Sequence, residues 1–141
     1  MDSIDQGKAL ALAAETLVGV PFRVHGRDPR IGLDCIGLVE AALTEIGRPV
    51  AFPDDYRLHG GAVARCDDWA ERIGLGDVCP DMAPAAGDIL LCQPAPTQLH
   101  LMIQAAGGVV HAHAGLRRVV RSPVNAQWPV RRRWGLFGAA G

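Results

Sequence analysis

The sequence predicts an α+β fold in which N-terminal helices pack on an antiparallel β-sheet. Three observations carry this prediction. Helical periodicity is confined to the first half of the chain, apolar runs of strand length follow residue 88, and a glycine turn joins two of those runs as a hairpin. The 141 residues are read as one domain, 1–141, because a second would leave neither part a proper core.

Each element follows from local signals. Ser3-x-x-Gln6 has the form of a capping box, and Ile4, Leu10, Ala13, Ala14 and Leu17 continue a helix that Gly19 and Pro21 stop near residue 18. A glycine-punctuated loop spans residues 22–33. The second helix has Asp34 as N-cap and Leu33 with Leu38 as a hydrophobic staple. Its apolar stripe is Cys35, Leu38, Val39, Ala42, Leu43 and Ile46; Gly47 suits the position after its end, and Pro49 bars continuation. Residues 48–60, with Pro53 and Asp54-Asp55, read as loop. A third helix is expected from residue 61 to about 73, burying Ala62, Cys66, Trp69 or Ala70, and Ile73. Residues 89–92 form a strand, 99–104 and 109–114 flank the turn Ala105-Ala106-Gly107-Gly108, and 119–120 and 129–137 supply further strands.

Composition narrows the function. Apolar residues make up 49% and charged residues 21%, which opposes disorder. No apolar run approaches the roughly 18 residues that span a bilayer, and the polar start lacks the pattern of a secretory signal. The expectation is a protein made in the cytoplasm that reaches any outside target by other means. All 15 acids and 8 of the 14 bases lie in residues 1–88, a net −7, whereas residues 89–141 hold six arginines and no acid. That asymmetry reads either as salt bridges between the halves or as a surface for an anionic ligand. Nucleic acid is not expected as a partner, because Arg131-Arg132-Arg133 is short and lacks interleaved aromatics.

The cysteines, Cys35, Cys66, Cys79 and Cys92, have neither the C-x-x-C spacing of a zinc or redox site nor the density of a disulfide framework. Cys35 stands apart at the first position of a capped helix, where the macrodipole favours a thiolate; the other three are assigned to the core. Of His25, His59, His100, His111 and His113, three fall in the hairpin. If paired residue numbers across it sum to an odd value, His100 shares a face with His111 and His113. One imidazole is then a base for Cys35 and another its orienter. The same three nitrogens also suit zinc, although no HExxH motif or nearby acid accompanies them.

At these residues the sequence resembles the NlpC/P60 family of cell-wall cysteine peptidases. Gly19-Val-Pro-Phe-Arg-Val-His-Gly26, followed by Gly32-Leu-Asp-Cys-Ile-Gly-Leu-Val39, is similar to the family's G-x-P-Y-x-x-G-G…DCSGLV pattern. Gly87-Asp-Ile-Leu-Leu91 resembles its G-D-L strand, and His100-Leu-Met-Ile103 with Val109-Val-His-Ala112 resembles its H-V-G-I…M-I-H-A hairpin. The likeness spans about residues 10–137. It implies a compact papain-like fold, with Cys35 as nucleophile, His100 as general base and acid, and His111 as the orienting residue. His113 is the same-face rival, because the loop between the histidine motifs is about one residue shorter than in the family. The family tyrosine that helps hold the oxyanion is Phe22 here, and the serine after the cysteine is Ile36. His25 and Asp34 are the further candidates for oxyanion or substrate contact.

The resemblance implies hydrolysis of peptidoglycan stem peptides without a cofactor. The segment around Pro21 to Arg30 looks closest to relatives in phages and gene transfer agents, which implies tail proteins as partners and action at the envelope after particle delivery or lysis. Two other readings stand beside it: a structural tail component with little activity, and a different cysteine acyl-transfer enzyme such as an amidase.

Overall fold

The computed structural model describes residues 3–53, 58, 60–79, 81–125 and 127–136. Expectations for the Ser3 side chain, Asp54-Asp55, His59 and residue 137 lie outside them. The chain runs through α1 (Ser3–Thr16), a short ribbon of β1 (Arg27–Asp28) and β2 (Gly32–Leu33), α2 (Cys35–Glu45) and α3 (Val63–Arg72). It then forms β3 (Leu75–Asp77), β4 (Ile89–Ala95), β5 (Gln98–Ala105), β6 (Gly108–His113), β7 (Arg118–Ser122) and β8 (Val130–Leu136). This is the α+β architecture expected from the sequence. The main sheet has the order β3-β8-β4-β5-β6-β7, and every neighbouring pair is antiparallel.

Local chemistry accounts for α2 at both ends. Asp34 caps it by accepting from Gly37 N at 2.8 Å. At the other end Gly47 takes φ +81°, while Gly47 N donates to Thr44 O and Arg48 N to Leu43 O. These paired bonds satisfy carbonyls that the helix leaves open. The third helix starts two residues later than expected. Ala62 is its N-cap, exposed and without a side-chain hydrogen bond, so it does not join Cys66, Trp69 and Ala70 in the core. Cys79 is also exposed rather than buried. The ribbon β1–β2 and the edge strand β3 were not expected: at two and three residues they are too short to show a period.

Both faces of the sheet are covered, unequally. Leu10, Leu38, Leu43, Leu91, Leu101 and Val110 belong to the large core between sheet and helices. Leu90, Cys92, Met102 and Val109 form a smaller cluster that Trp128 covers. Central β4 is therefore apolar at successive positions, Ile89-Leu90-Leu91-Cys92, instead of alternating. The charge asymmetry largely resolves into contacts between the halves: Arg121 pairs with Glu15 at 3.4 Å, Arg132 with Asp67 at 3.0 Å, and Arg133 approaches Asp88 at 4.0 Å.

The first helix meets the start of β4 backbone to backbone. A Cβ at Gly87, which has φ +87°, would fall well inside contact distance of Gly7 O. Gly47 has a similar φ and open space around it. Gly87→Ala is therefore expected to cost about 3 kcal/mol or more, and Gly47→Ala about 1–2 kcal/mol. Equilibrium urea unfolding checks this, and equal losses would contradict the close approach.

Candidate active site

The site begins at the Asp34 carboxylate. One oxygen accepts from Gly37 N and from Arg27 Nη1 at 2.6 Å, and the other accepts from His25 N at 3.1 Å. Arg27 also reaches Glu40 at 3.2 Å, which ties the 22–33 segment to the side of α2. Glycines permit this approach: a Cβ on Gly37 would overlap Gly26 O. His25 adopts φ 59°, a left-handed conformation uncommon outside glycine, and lines the cleft beside Cys35. Asp34 lines that cleft too, but its oxygens are occupied as cap and ion-pair acceptor. A carboxylate has no proton to donate to an oxyanion, so the expected oxyanion role for Asp34 is replaced by a supporting one.

The sheet supplies the histidines. Strands β5 and β6 pair Ile103 with Val110 and Gln104 with Val109, an odd-sum register. Continued outward, it sets His111 opposite Met102 and diagonal to His100. His100 Nε2 and His111 Nδ1 lie 2.9 Å apart, and His111 Nε2 lies 3.0 Å from Ser122 Oγ. His113 shares the face, but its Nδ1 accepts from Leu116 N at 3.0 Å. His111, not His113, is thus the residue bonded to His100. The hairpin nitrogens form a hydrogen-bonded chain rather than a converging ligand set, and among the described residues no group of three His, Cys, Asp or Glu is placed to hold a metal. Trp128 stands perpendicular to both rings, with centroids at 5.6 and 5.9 Å.

A cleft of about 520 Å³ joins the two halves of the site, with Phe22, His25, Cys35, His100 and Trp128 in its walls. The backbone N–H groups of Leu101, the residue after His100, and of Ile36 favour the thiolate form of Cys35. Among the described residues no hydrogen bond links this sulfur to His100. The Cys35 N–H has no acceptor among the described residues, as the first N–H groups of a helix commonly do not. Phe22 occupies the wall with a ring that has no polar hydrogen.

Burial sets the protonation states. Desolvation pushes the Cys35 thiol up to about 12; the Leu101 N–H opposes this, Asp34 adds to it, and Arg27 and the Ile36 N–H oppose it. Burial opposes the thiolate that a helix start favours, and the anionic cap adds to that opposition. Desolvation, helped by His111 and His113, pulls His100 down to about 3, and desolvation with His113 pulls His111 down to about 4. All three shifts favour the uncharged form of the group concerned.

Ser122 and Trp128 were missed in the sequence. Strand alternation placed only Val119 and Val120 in β7, although extending it two residues sets Ser122 on the His111 face. Trp128 lies in an irregular segment with no period to read.

No family model and no curated protein matches the chain. Solved structures do. The NlpC/p60 domain of the peptidoglycan hydrolase SagA aligns over 94% of this chain and 98% of its own, with TM-score 0.62 and 21% identity. The P60 domain of an antigen from M. avium subspecies paratuberculosis aligns over 94% and 95%, with TM-score 0.61 and 19% identity. NlpC1 from Trichomonas vaginalis gives TM-score 0.65 at 19% identity over 92% of this chain but 44% of its own. The chain therefore has the NlpC/P60 fold.

Two predictions follow from the electrostatics. Below pH 6.5 the unfolded histidines bind protons that folded His100 and His111 refuse, so stability falls as pH drops from about 6.5 towards 4. His100→Gln should flatten the loss between pH 6.5 and 4.5 by on the order of 2 kcal/mol in urea unfolding; an unchanged slope would contradict the buried neutral ring. Asp34→Asn keeps a capping oxygen but removes the charge that raises the thiol pKa. Alkylation of Cys35 by iodoacetamide at pH 9, followed by peptide mass mapping, should then be severalfold faster than in wild type.

Proposed function

We propose that the protein is a cysteine peptidase acting on peptidoglycan stem peptides. The observation that carries this reading is the shared cleft of Cys35 and His100, with His100 Nε2 bonded to His111 Nδ1. Support for the substrate comes from the sequence motifs and from the fold shared with a domain of a peptidoglycan hydrolase.

Catalysis starts from a neutral pair. Cys35 Sγ forms a bond to the amide carbonyl carbon while the thiol proton moves to the ring nitrogen of His100 that is not bonded to His111. The Cys35 N–H donates to the oxyanion as negative charge develops there. His100 returns the proton to the amine as the C–N bond breaks. Water, deprotonated by His100, then hydrolyses the thioester and regenerates the thiol. His111 holds the His100 ring throughout.

Delivery by a phage-type particle belongs to the same reading and rests on the resemblance of the segment that carries Phe22 and His25. Phe22 supports a second reading, in which the chain is a tail component with little activity, since a lost oxyanion donor can cost on the order of 10²–10³ in rate. Digestion of purified sacculi, with released peptides identified by mass spectrometry, separates the two. Wild type should release peptides, and Cys35→Ala and His100→Ala should each lower the rate at least about 10³-fold. Equal inertness of wild type and Cys35→Ala would favour the structural component.

A further inference from the structure

We infer that Ser122 is a positioning residue that fixes the tautomers of His111 and His100, so that a lone pair rather than an N–H faces the nucleophile. The inference deepens the peptidase reading and rests on it for the catalytic consequence, but the proton arrangement is a property of the chain itself.

The argument counts protons. His100 Nε2, His111 Nδ1, His111 Nε2 and Ser122 Oγ form an unbroken chain through two contacts of 2.9 and 3.0 Å. Each neutral imidazole carries one N–H, and the serine carries one O–H. Only two arrangements satisfy both contacts. In the first, Ser122 donates to His111 Nε2, His111 Nδ1–H donates to His100 Nε2, and the other His100 nitrogen bears a proton towards the cleft. That imidazole cannot accept the thiol proton. In the second, His111 Nε2–H donates to Ser122 Oγ, His100 Nε2–H donates to His111 Nδ1, and His100 Nδ1 offers its lone pair.

The end of the chain decides between them. Ser122 Oγ also lies 3.3 Å from Pro123 O, an atom that can only accept. With the hydroxyl proton committed there, the serine oxygen must accept from His111, which selects the second arrangement. Among the described residues no carboxylate competes for this role. The residues around the cavity behind His111 include His113, Arg118, Ser122 and Asn125 and no Asp or Glu. Among the described residues the only fixed charges lining it are those of Arg118 and Arg121, so a neutral hydroxyl sets the direction, where other triads use an anionic orienter.

Long-range proton–nitrogen correlation spectra of histidine-labelled protein at pH 7.5 test this without substrate, with His100→Gln and His111→Gln used for assignment. The expected spectrum has protons on Nε2 of both rings. Ser122→Ala should give mixed tautomers at His111, and Ser122→Thr, which keeps the hydroxyl, should restore the wild-type pattern. A proton on His111 Nδ1 in wild type, or unchanged tautomers in Ser122→Ala, would overturn the inference. On sacculus-derived peptides kcat should fall at least about tenfold in Ser122→Ala with KM unchanged and recover in Ser122→Thr; an unaltered kcat would also overturn it. Wild-type inertness with the expected tautomers would instead count against the proposed function alone.

Discussion

The Asp34 carboxylate takes hydrogen bonds from the first turn of α2, from the backbone of His25 and from the Arg27 guanidinium. Helix capping by a side chain is ordinarily worth about 1 kcal/mol. Here the same carboxylate also fixes where the 22–33 segment lies, and with it the Phe22 and His25 walls of the cleft. The Gly26–Gly37 contact turns that attachment into a tight fit, because a Cβ on Gly37 would overlap Gly26 O. Cys35 gains its position from this junction. It begins the helix, its N–H has no acceptor among the described residues, and its sulfur lies in the cleft it shares with His100.

The sheet imposes the complementary constraint. An antiparallel pair shows cross-strand partners on a common face, so the β5–β6 register alone determines that His100 and His111 meet. The arrangement is costly to ionise. Both rings lie under Trp128 and against each other, and the cleft thiol is equally reluctant to give up its proton. Under the proposed function, Cys35 and His100 wait as neutral partners, and charge separation is deferred until an amide carbonyl arrives to accept electron density.

What could be read from the sequence was local or strictly periodic. Both ends of α2 are encoded within a few residues, Asp34 to Gly37 and Leu43 to Arg48, so the helix was legible nearly to the residue. The hairpin histidines were legible as a conditional: alternation specified their faces, and only the pairing sum was missing. The rest depended on distant partners. Edge strand β3 exists because β8 pairs with it, Ala62 lies outside the core because its helix begins there, and Trp128 reaches the histidines across the sheet from an irregular segment. The direction of the thiol shift was also hidden, since a helix start is visible in sequence whereas the depth of burial is not.

The exposure of Cys79 has a chemical corollary. Oxidants such as peroxide attack thiolate, and a thiol that stays protonated until substrate binds presents little of it. Of the four free thiols, Cys79 is exposed and is not part of the cleft lining, Cys35 is half-buried, and Cys66 and Cys92 are buried. Adventitious oxidation and mixed-disulfide formation would then gather at a residue with no part in the proposed chemistry. The proposed nucleophile would then outlast the surface of the molecule that carries it.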